Sequence, residues 1–289
     1  MGQGITGEQV AAFREHGFVA PLPAFPADEA AALHEHFAAF EARAGGRLSR
    51  ALNEKPYLFL RWIADVVRDP RVLDPVEAVL GPDILCWAGG FFAKRPGDGA
   101  IVSWHQDATY WGLSSPDVVT AWIALTPSTP ESGCMRVIPG THRTQIAHRD
   151  TFAAGNLLSR GQEVQCEVDE RAAVDLVLAP GEMSLHHTLL IHGSGPNRAA
   201  LPRIGLAIRY IAGHVRQTLP IPDSAMLVRG RRLHDDLGTD IPPDHDWQDA
   251  AVERHRRFVT RHQDLLYAGA AQRPDPDQPR GTPNAGERA

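Results

Sequence analysis

The stretch VDLVLAPGEMSLHHTLLIHGSGPNRAALPRIGLAIRYI, residues 174–211, reads as short strands and tight turns with no helix between them. Residues 174–178, 183–185 and 204–211 are apolar runs rich in Val, Ile and Leu. Pro180-Gly181 marks one turn, and Gly193-Ser194-Gly195 a place where a strand ends and backbone can approach a ligand closely. The same pattern extends back to Ile84, with candidate strands at 119–125, 135–138 and 164–168 and a turn at Pro139-Gly140. Many short strands without intervening helices predict a mostly β fold with flanking helices, a sandwich or closed jelly roll.

The flanks differ. Thr6 and Gln9 form a capping box before an apolar face at Val10 and Phe13, and Gly17 stops that helix. Phe18, Val19 and Ala20 follow as a short strand. Residues 27–44 carry Leu33, Phe37 and Phe40 at helical spacing, with Asp28 as N-cap and Gly45-Gly46 as stop. Further helices are expected at 57–67 and 72–79. The chain is thus one domain over 1–269, with a helical part at 5–80, a β core at 84–211 and an extension at 213–269. That extension carries a helix near 246–267 and has no assigned role. The run AQRPDPDQPRGTPNAGERA is too rich in Pro, Gly and charge to bury a core, so 270–289 is expected to be a disordered tail.

A chain of 289 residues at 43% hydrophobic content can bury one sizeable core. Its net charge of −6 gives no global field attracting nucleic acid or an anionic membrane. Cys86, Cys134 and Cys166 are odd in number and far apart, which is no disulfide framework; they are expected as buried free thiols in a reducing cytosol. No apolar run approaches the roughly 20 residues of a spanning helix. The opening MGQGIT matches a myristoylation pattern but has no basic patch beside it, and is read as chance. A soluble cytoplasmic protein of unreadable oligomeric state is expected.

The chemistry is concentrated in WHQD (104–107) and LIHGSGPN (190–197). Two imidazoles and one carboxylate can occupy one face of an octahedral Fe(II), leaving positions for a chelating cosubstrate and O₂. His105 and Asp107 share a side if the segment is extended, with Gln106 pointing away. The third ligand is His192 or one of His186 and His187; spacing alone does not choose, since His186 and His192 would share a face of a regular strand. Arg203 and Arg209, six residues apart, are rivals for the carboxylate of 2-oxoglutarate, which an Arg fork can grip in bidentate fashion. Lys94, Tyr110 and Trp111 flank the motif as candidate substrate contacts, or as an exposed loop with one aromatic anchor; Arg209 is a further candidate, meeting an acidic substrate or pairing with a structural carboxylate. His142 reads as a turn residue.

The blocks EHGFV (15–19), VLGPDI (79–84), FAKRPG (92–97), WHQDATYWGL (104–113), TAWIAL (120–125), ESGCMRVIPGTHR (131–143), APGEMSLHH (179–187), LIHGSGPN and PRIGLAIRY (202–210) resemble the phytanoyl-CoA dioxygenase (PhyH) family, in order and in spacing. The resemblance covers about 5–215. It implies a double-stranded β-helix, metal ligands His105, Asp107 and His192, and 2-oxoglutarate held by Arg203 with Ser194 and Trp122 beside it. Arg50, Asn53 and Lys55 lie where the family often has a further contact. It implies hydroxylation of an unactivated C–H bond of a small molecule using Fe(II), 2-oxoglutarate and O₂; Asp107 argues against the related halogenases, which carry a small residue there. A cupin-like metal enzyme that does not use 2-oxoglutarate and a non-catalytic jelly-roll binding module are the other readings.

Overall fold

The computed structural model describes residues 4–282. Helix α1 (Gly7–His16) opens with the capping box, in which Gln9 N–H donates to the Thr6 hydroxyl and Thr6 N–H to the Gln9 side chain. It closes at Gly17, whose φ of 85° suits a residue without Cβ. Strand β1 (Phe18–Pro23) and helix α2 (Ala27–Arg43) follow. The α2 cap is Pro26 rather than Asp28; Asp28 sits in the first turn, where its charge meets the helix N-terminus. The helix expected at 57–67 is divided into a 3₁₀ turn (Pro56–Leu58) and α3 (Arg61–Val67). The break is fixed from afar, because the Asp246 carboxylate accepts from Arg61 N–H at 2.6 Å. Helix α4 (Pro70–Leu80), capped by Asp69, completes the N-terminal part.

The strands are β2 (Ile84–Lys94), β3 (Val102–His105), β4 (Val118–Ala124), β5 (Met135–Val137), β6 (His148–Arg149), β7 (Glu163–Val164), β8 (Val174–Leu176), β9 (Glu182–His187), β10 (His192–Ser194), β11 (Arg203–Ala212), β12 (Ser224–Arg229) and β13 (Gly238–Thr239). They form a major sheet β1-β9-β4-β11-β2-β12-β13, a minor sheet β3-β10-β5-β8 and the pair β6-β7. Every named pairing is antiparallel except β12 with β13. This is the expected β-rich jelly-roll architecture with flanking helices. Residues 84–94 form the longest strand, which the sequence pattern did not single out because burial on both faces erases alternation.

The period of two sorts the major sheet into two chemistries. On β11, Ile204, Leu206, Ile208 and Tyr210 face the helices, joined by Ala121 and Ile123 of β4, Met183 and Leu185 of β9, and Phe37 and Phe40 of α2. Arg203, Ala207 and Arg209 face the minor sheet instead, with Thr120 and Trp122 of β4. Each buried aliphatic of the first set contributes roughly 1.5–3 kcal/mol. That apolar face holds the sheet rigid while the other carries polar groups.

Past the core, β12 and β13 extend the major sheet, and α5 (Asp249–Leu266) packs Ala251, Phe258 and Val259 onto the same core. The described part of the expected disordered tail is laid against the body. Arg50 N–H donates to Gln278 O at 2.9 Å, Ala51 N–H to Pro276 O at 2.8 Å, and Gly155 N–H to Gly281 O at 2.8 Å. Such a segment needs no core of its own when neighbouring backbone supplies its hydrogen bonds, which composition does not reveal. Residues 283–289, and the start of the myristoylation match at 1–3, lie outside the described residues. Cys86 and Cys134 are buried thiols, but Cys166 is exposed. No helix among the described residues is long and apolar enough to cross a membrane.

Candidate functional site

Strands β3 and β10 run antiparallel with His105 directly opposite His192, and their ring centroids stand 4.1 Å apart. His105 ends its strand, so Asp107 does not share an extended face with it. Asp107 opens a 3₁₀ turn (Asp107–Tyr110) that swings the carboxylate back to the imidazoles. One ligand atom each from His105, Asp107 and His192 lies within 4.8 Å of the others. The nearest approaches to Asp107 Oδ1 are 3.4 Å from His105 Nε2 and 3.9 Å from His192 Nε2. Donors about 2.1 Å from one ion and at right angles stand about 3 Å apart, so small shifts suffice for all three to meet a divalent metal.

The donor chemistry fits as well as the spacing. His105 Nδ1 lies 2.9 Å from Ser103 O, and His192 Nδ1 lies 2.9 Å from Leu190 O. A carbonyl only accepts, so each Nδ1 carries its proton and each Nε2 turns a lone pair to the cavity. Burial, and then the neighbouring imidazoles of His105 and His186, push His192 well below the usual imidazole range, which keeps it neutral. Burial would raise the Asp107 carboxyl, but His105, His186 and the Arg209 charge hold it well below the usual carboxylate range. Neutral imidazole and ionised carboxylate are the forms that bind metal. The second carboxylate oxygen, Oδ2, accepts from Thr120 Oγ1 at 3.1 Å and stands 3.8 Å from His186 Nε2.

The same cavity is lined by Trp122, His186, Ser194, Arg203 and Arg209. Arg203 is 2% exposed, and its Nε and Nη1 have no hydrogen-bond partner. Its guanidinium lies 4.7 Å over the Trp122 ring. The indole has room because residue 205 is Gly; a Cβ there would come within 2.0 Å of the ring. Lys94 is the cross-strand partner of Arg203. Burial first, and the Arg203 charge second, bring its ammonium down to about 6. A buried guanidinium with unpartnered nitrogens, beside an amine whose protonation it suppresses, costs several kcal/mol unless an anion joins them. This end of the cavity therefore fits a carboxylate.

A second cavity adjoins the first, sharing Phe92, Asp107 and Arg209, and is walled by Glu54, Trp87, Trp111, His262 and Arg280. Of the candidate substrate contacts, Trp111 and Arg209 line this cavity, whereas Lys94 and Tyr110 do not. Lys94 Nζ donates to Ser194 Oγ and Gly195 O, each at 2.5 Å, behind the cavity wall. Tyr110 turns its hydroxyl to Asp150 at 2.5 Å, beneath the Arg160 guanidinium. His187 faces α1, packing 6.5 Å from Phe13, and His142 packs against it. Of the loosely expected trio, Asn53 pins Phe91 backbone, Arg50 grips the carbonyls of Asp275 and Gln278, and Lys55 enters an ion network. Thr120 went unnoticed in the sequence, though it could have been found two residues before Trp122 on the same strand face; His186 does share the cavity with His192, as the strand period implied, but meets the Asp107 carboxylate. Glu54, His262 and Arg280 carry no local signal at all.

The phytanoyl-CoA dioxygenase (PhyH) family pattern matches residues 13–205. Over 169 residues the chain is 29% identical to a probable alpha-ketoglutarate-dependent hypophosphite dioxygenase of Stutzerimonas stutzeri, covering 55% of this chain and 56% of that protein. Over 134 residues it is 33% identical to the human peroxisomal phytanoyl-CoA dioxygenase, covering 45% and 40%. The chain spans about half the length of these curated relatives. Among solved structures, the apo form of the non-heme monooxygenase ThoJ superposes with a TM-score of 0.79 at 34% identity, covering 90% of this chain and 98% of that one. Two-thirds of the sequence and nearly all of the architecture point the same way: the chain belongs to the phytanoyl-CoA dioxygenase (PhyH) family of Fe(II)/2-oxoglutarate-dependent oxygenases.

Proposed function

We propose that this chain is an Fe(II)- and 2-oxoglutarate-dependent dioxygenase that hydroxylates an unactivated C–H bond of a small-molecule metabolite. The observation that carries this is the unpartnered buried Arg203 in the same cavity as the three convergent donors. His105, Asp107 and His192 would hold Fe(II). Arg203, with the Ser194 hydroxyl, would hold the distal carboxylate of 2-oxoglutarate, and Trp122 would cover one side of it. When bound, these groups supply the oxidation: 2-oxoglutarate, O₂ and R–H give succinate, CO₂ and R–OH. The protein's own work is positioning and exclusion of water. Thr120 and His186 orient the Asp107 carboxylate, the Nδ1 bonds aim both ligand imidazoles, and all three donors are nearly sealed from solvent. The unpaired cysteines support work in a reducing cytoplasm.

Anaerobic titration of the Fe(II)-loaded chain with 2-oxoglutarate tests this reading. The expected result is the weak visible charge-transfer band of the chelate, lost in Arg203→Ala while iron is retained. Bound iron without a band would replace it with a metal enzyme that does not use 2-oxoglutarate. No bound iron would leave a binding module.

A further inference from the structure

The second cavity meets the first at Asp107 but is not lined by Arg203, and its walls combine three aromatic rings with a surplus of positive charge. Arg209, on β11, makes no ion pair among the described residues, and its Nε is buried without a partner. Its guanidinium lies 5.7 Å from the Phe92 ring and 5.9 Å from the Trp111 ring. Arg280 reaches in from the C-terminal segment to 5.6 Å over the same Phe92 ring. Its one carboxylate partner, Glu54 at 3.3 Å, is shared with His262, also at 3.3 Å.

The charges around this chamber can be counted. Lys55, His262 and Arg280 make three cations, and Glu54, Asp223 and Asp240 make three carboxylates in contact with them. His262 belongs with the cations because Glu54 and Asp223, overcoming burial, hold it up at about 9. Asp107 is committed to the metal in the proposed reading. Arg209 is left over, one positive charge facing a chamber it shares with a tail arginine.

We infer that this chamber selects a substrate bearing a single carboxylate on a flat apolar body, with the carboxylate held between Arg209 and Arg280 and the body against Phe92, Trp87 and Trp111. The inference rests on the proposed reading of the neighbouring metal site. A surplus of one charge matches a monoanion better than a phosphate monoester. A planar carboxylate also suits the guanidinium fork. Arg280 ties this selection to the C-terminal segment, so part of the specificity lies outside residues 13–205 that define the family match. The bland alternative, that Arg209 merely balances Asp107, predicts no preference for acids.

The test uses the full chain, loaded anaerobically with Fe(II) and 2-oxoglutarate. Arylalkanoic acids from benzoate to 4-phenylbutanoate and their primary amides are titrated in, reading perturbation of the charge-transfer band. The best acid should bind at least about tenfold more tightly than its amide, as a charge-assisted contact implies. In Arg209→Gln and Arg280→Gln that preference should fall to within about threefold, and Arg280→Lys should restore part of it. Each variant is first shown to form the band; should Arg209→Gln fail to, Arg280→Gln carries the comparison alone. Amides binding as well as acids, or no acid binding to protein that forms the band, would overturn the inference. So would tighter binding of 2-phenylethyl phosphate than of every acid. Failure to form the band in the wild type would instead count against the metal-site reading.

Discussion

Two buried charge clusters border cavities that meet at Asp107, and they are built in opposite ways. On one side Arg203 and Lys94 sit side by side in register on adjacent strands, a guanidinium and an amine whose protonation it suppresses, with no carboxylate against them. On the other, Lys55 meets Asp240 at 3.2 Å and Asp223 at 3.6 Å, and His262 bridges Asp223 and Glu54. The second cluster is also richly hydrogen-bonded: Lys55 Nζ donates to Ser224 O at 2.5 Å, and Trp87 Nε1 to Asp223 at 2.5 Å. A balanced buried network supports the fold. An unbalanced one is tolerated only where a ligand of opposite charge completes it.

The contrast can be broken from either side. Lys55→Met should cost about 3–5 kcal/mol of folding stability, because it leaves Asp223 and Asp240 buried without their cation. Lys55 also holds a left-handed backbone at φ 44°, and Met would inherit that geometry without the ion pairs that anchor it. Urea denaturation measures the loss; an unchanged midpoint would mean the network does not hold the fold. Arg203→Met should do the reverse, raising the stability of the ligand-free protein by about 1–3 kcal/mol, since it removes an uncompensated buried charge. The same change should weaken 2-oxoglutarate binding by about 2–5 kcal/mol. A variant losing both stability and affinity would place Arg203 in the structural class and erase the distinction.

The sequence disclosed these two clusters unequally. The triad and Arg203 lie within short motifs, and the strands beneath them alternate with period two, so their approximate placement could be read. The turn at Asp107 could not, because a 3₁₀ start and an extended residue carry the same local signature. The balanced cluster was invisible. Glu54 and Arg280 are 226 residues apart, and Lys55 and Asp240 are 185 apart. Neither pair has spacing that means anything along the chain. Asp246 capping α3 and the tail segment bonded to Arg50 and Ala51 escaped for the same reason: the partner, not the segment, decides the structure.

Acidity sharpens the comparison more gently, through proton linkage of at most about 1.4 kcal/mol per pH unit for each group. His262 is raised to about 9, so its contribution is complete below its ordinary 6.5 and is lost as pH climbs through 9. Lys94 is lowered to about 6 by burial and Arg203, so the unfolded chain binds the extra proton between 6 and 10.5 and stability rises with pH there. Between pH 6.5 and 9 the two slopes oppose each other. Denaturation midpoints across that window should therefore rise more steeply with pH in His262→Gln and fall more steeply in Lys94→Met than in the wild type. Parallel profiles in all three proteins would refute the assignment. Ligand separates the clusters once more. A dianion at Arg203 offsets the charge that suppresses Lys94 and draws a proton onto it, so 2-oxoglutarate should bind more weakly as pH rises from 6 to 8 in the wild type, with a shallower dependence in Lys94→Met. His262→Gln should leave that dependence untouched, because the balanced cluster has no share in the incoming charge.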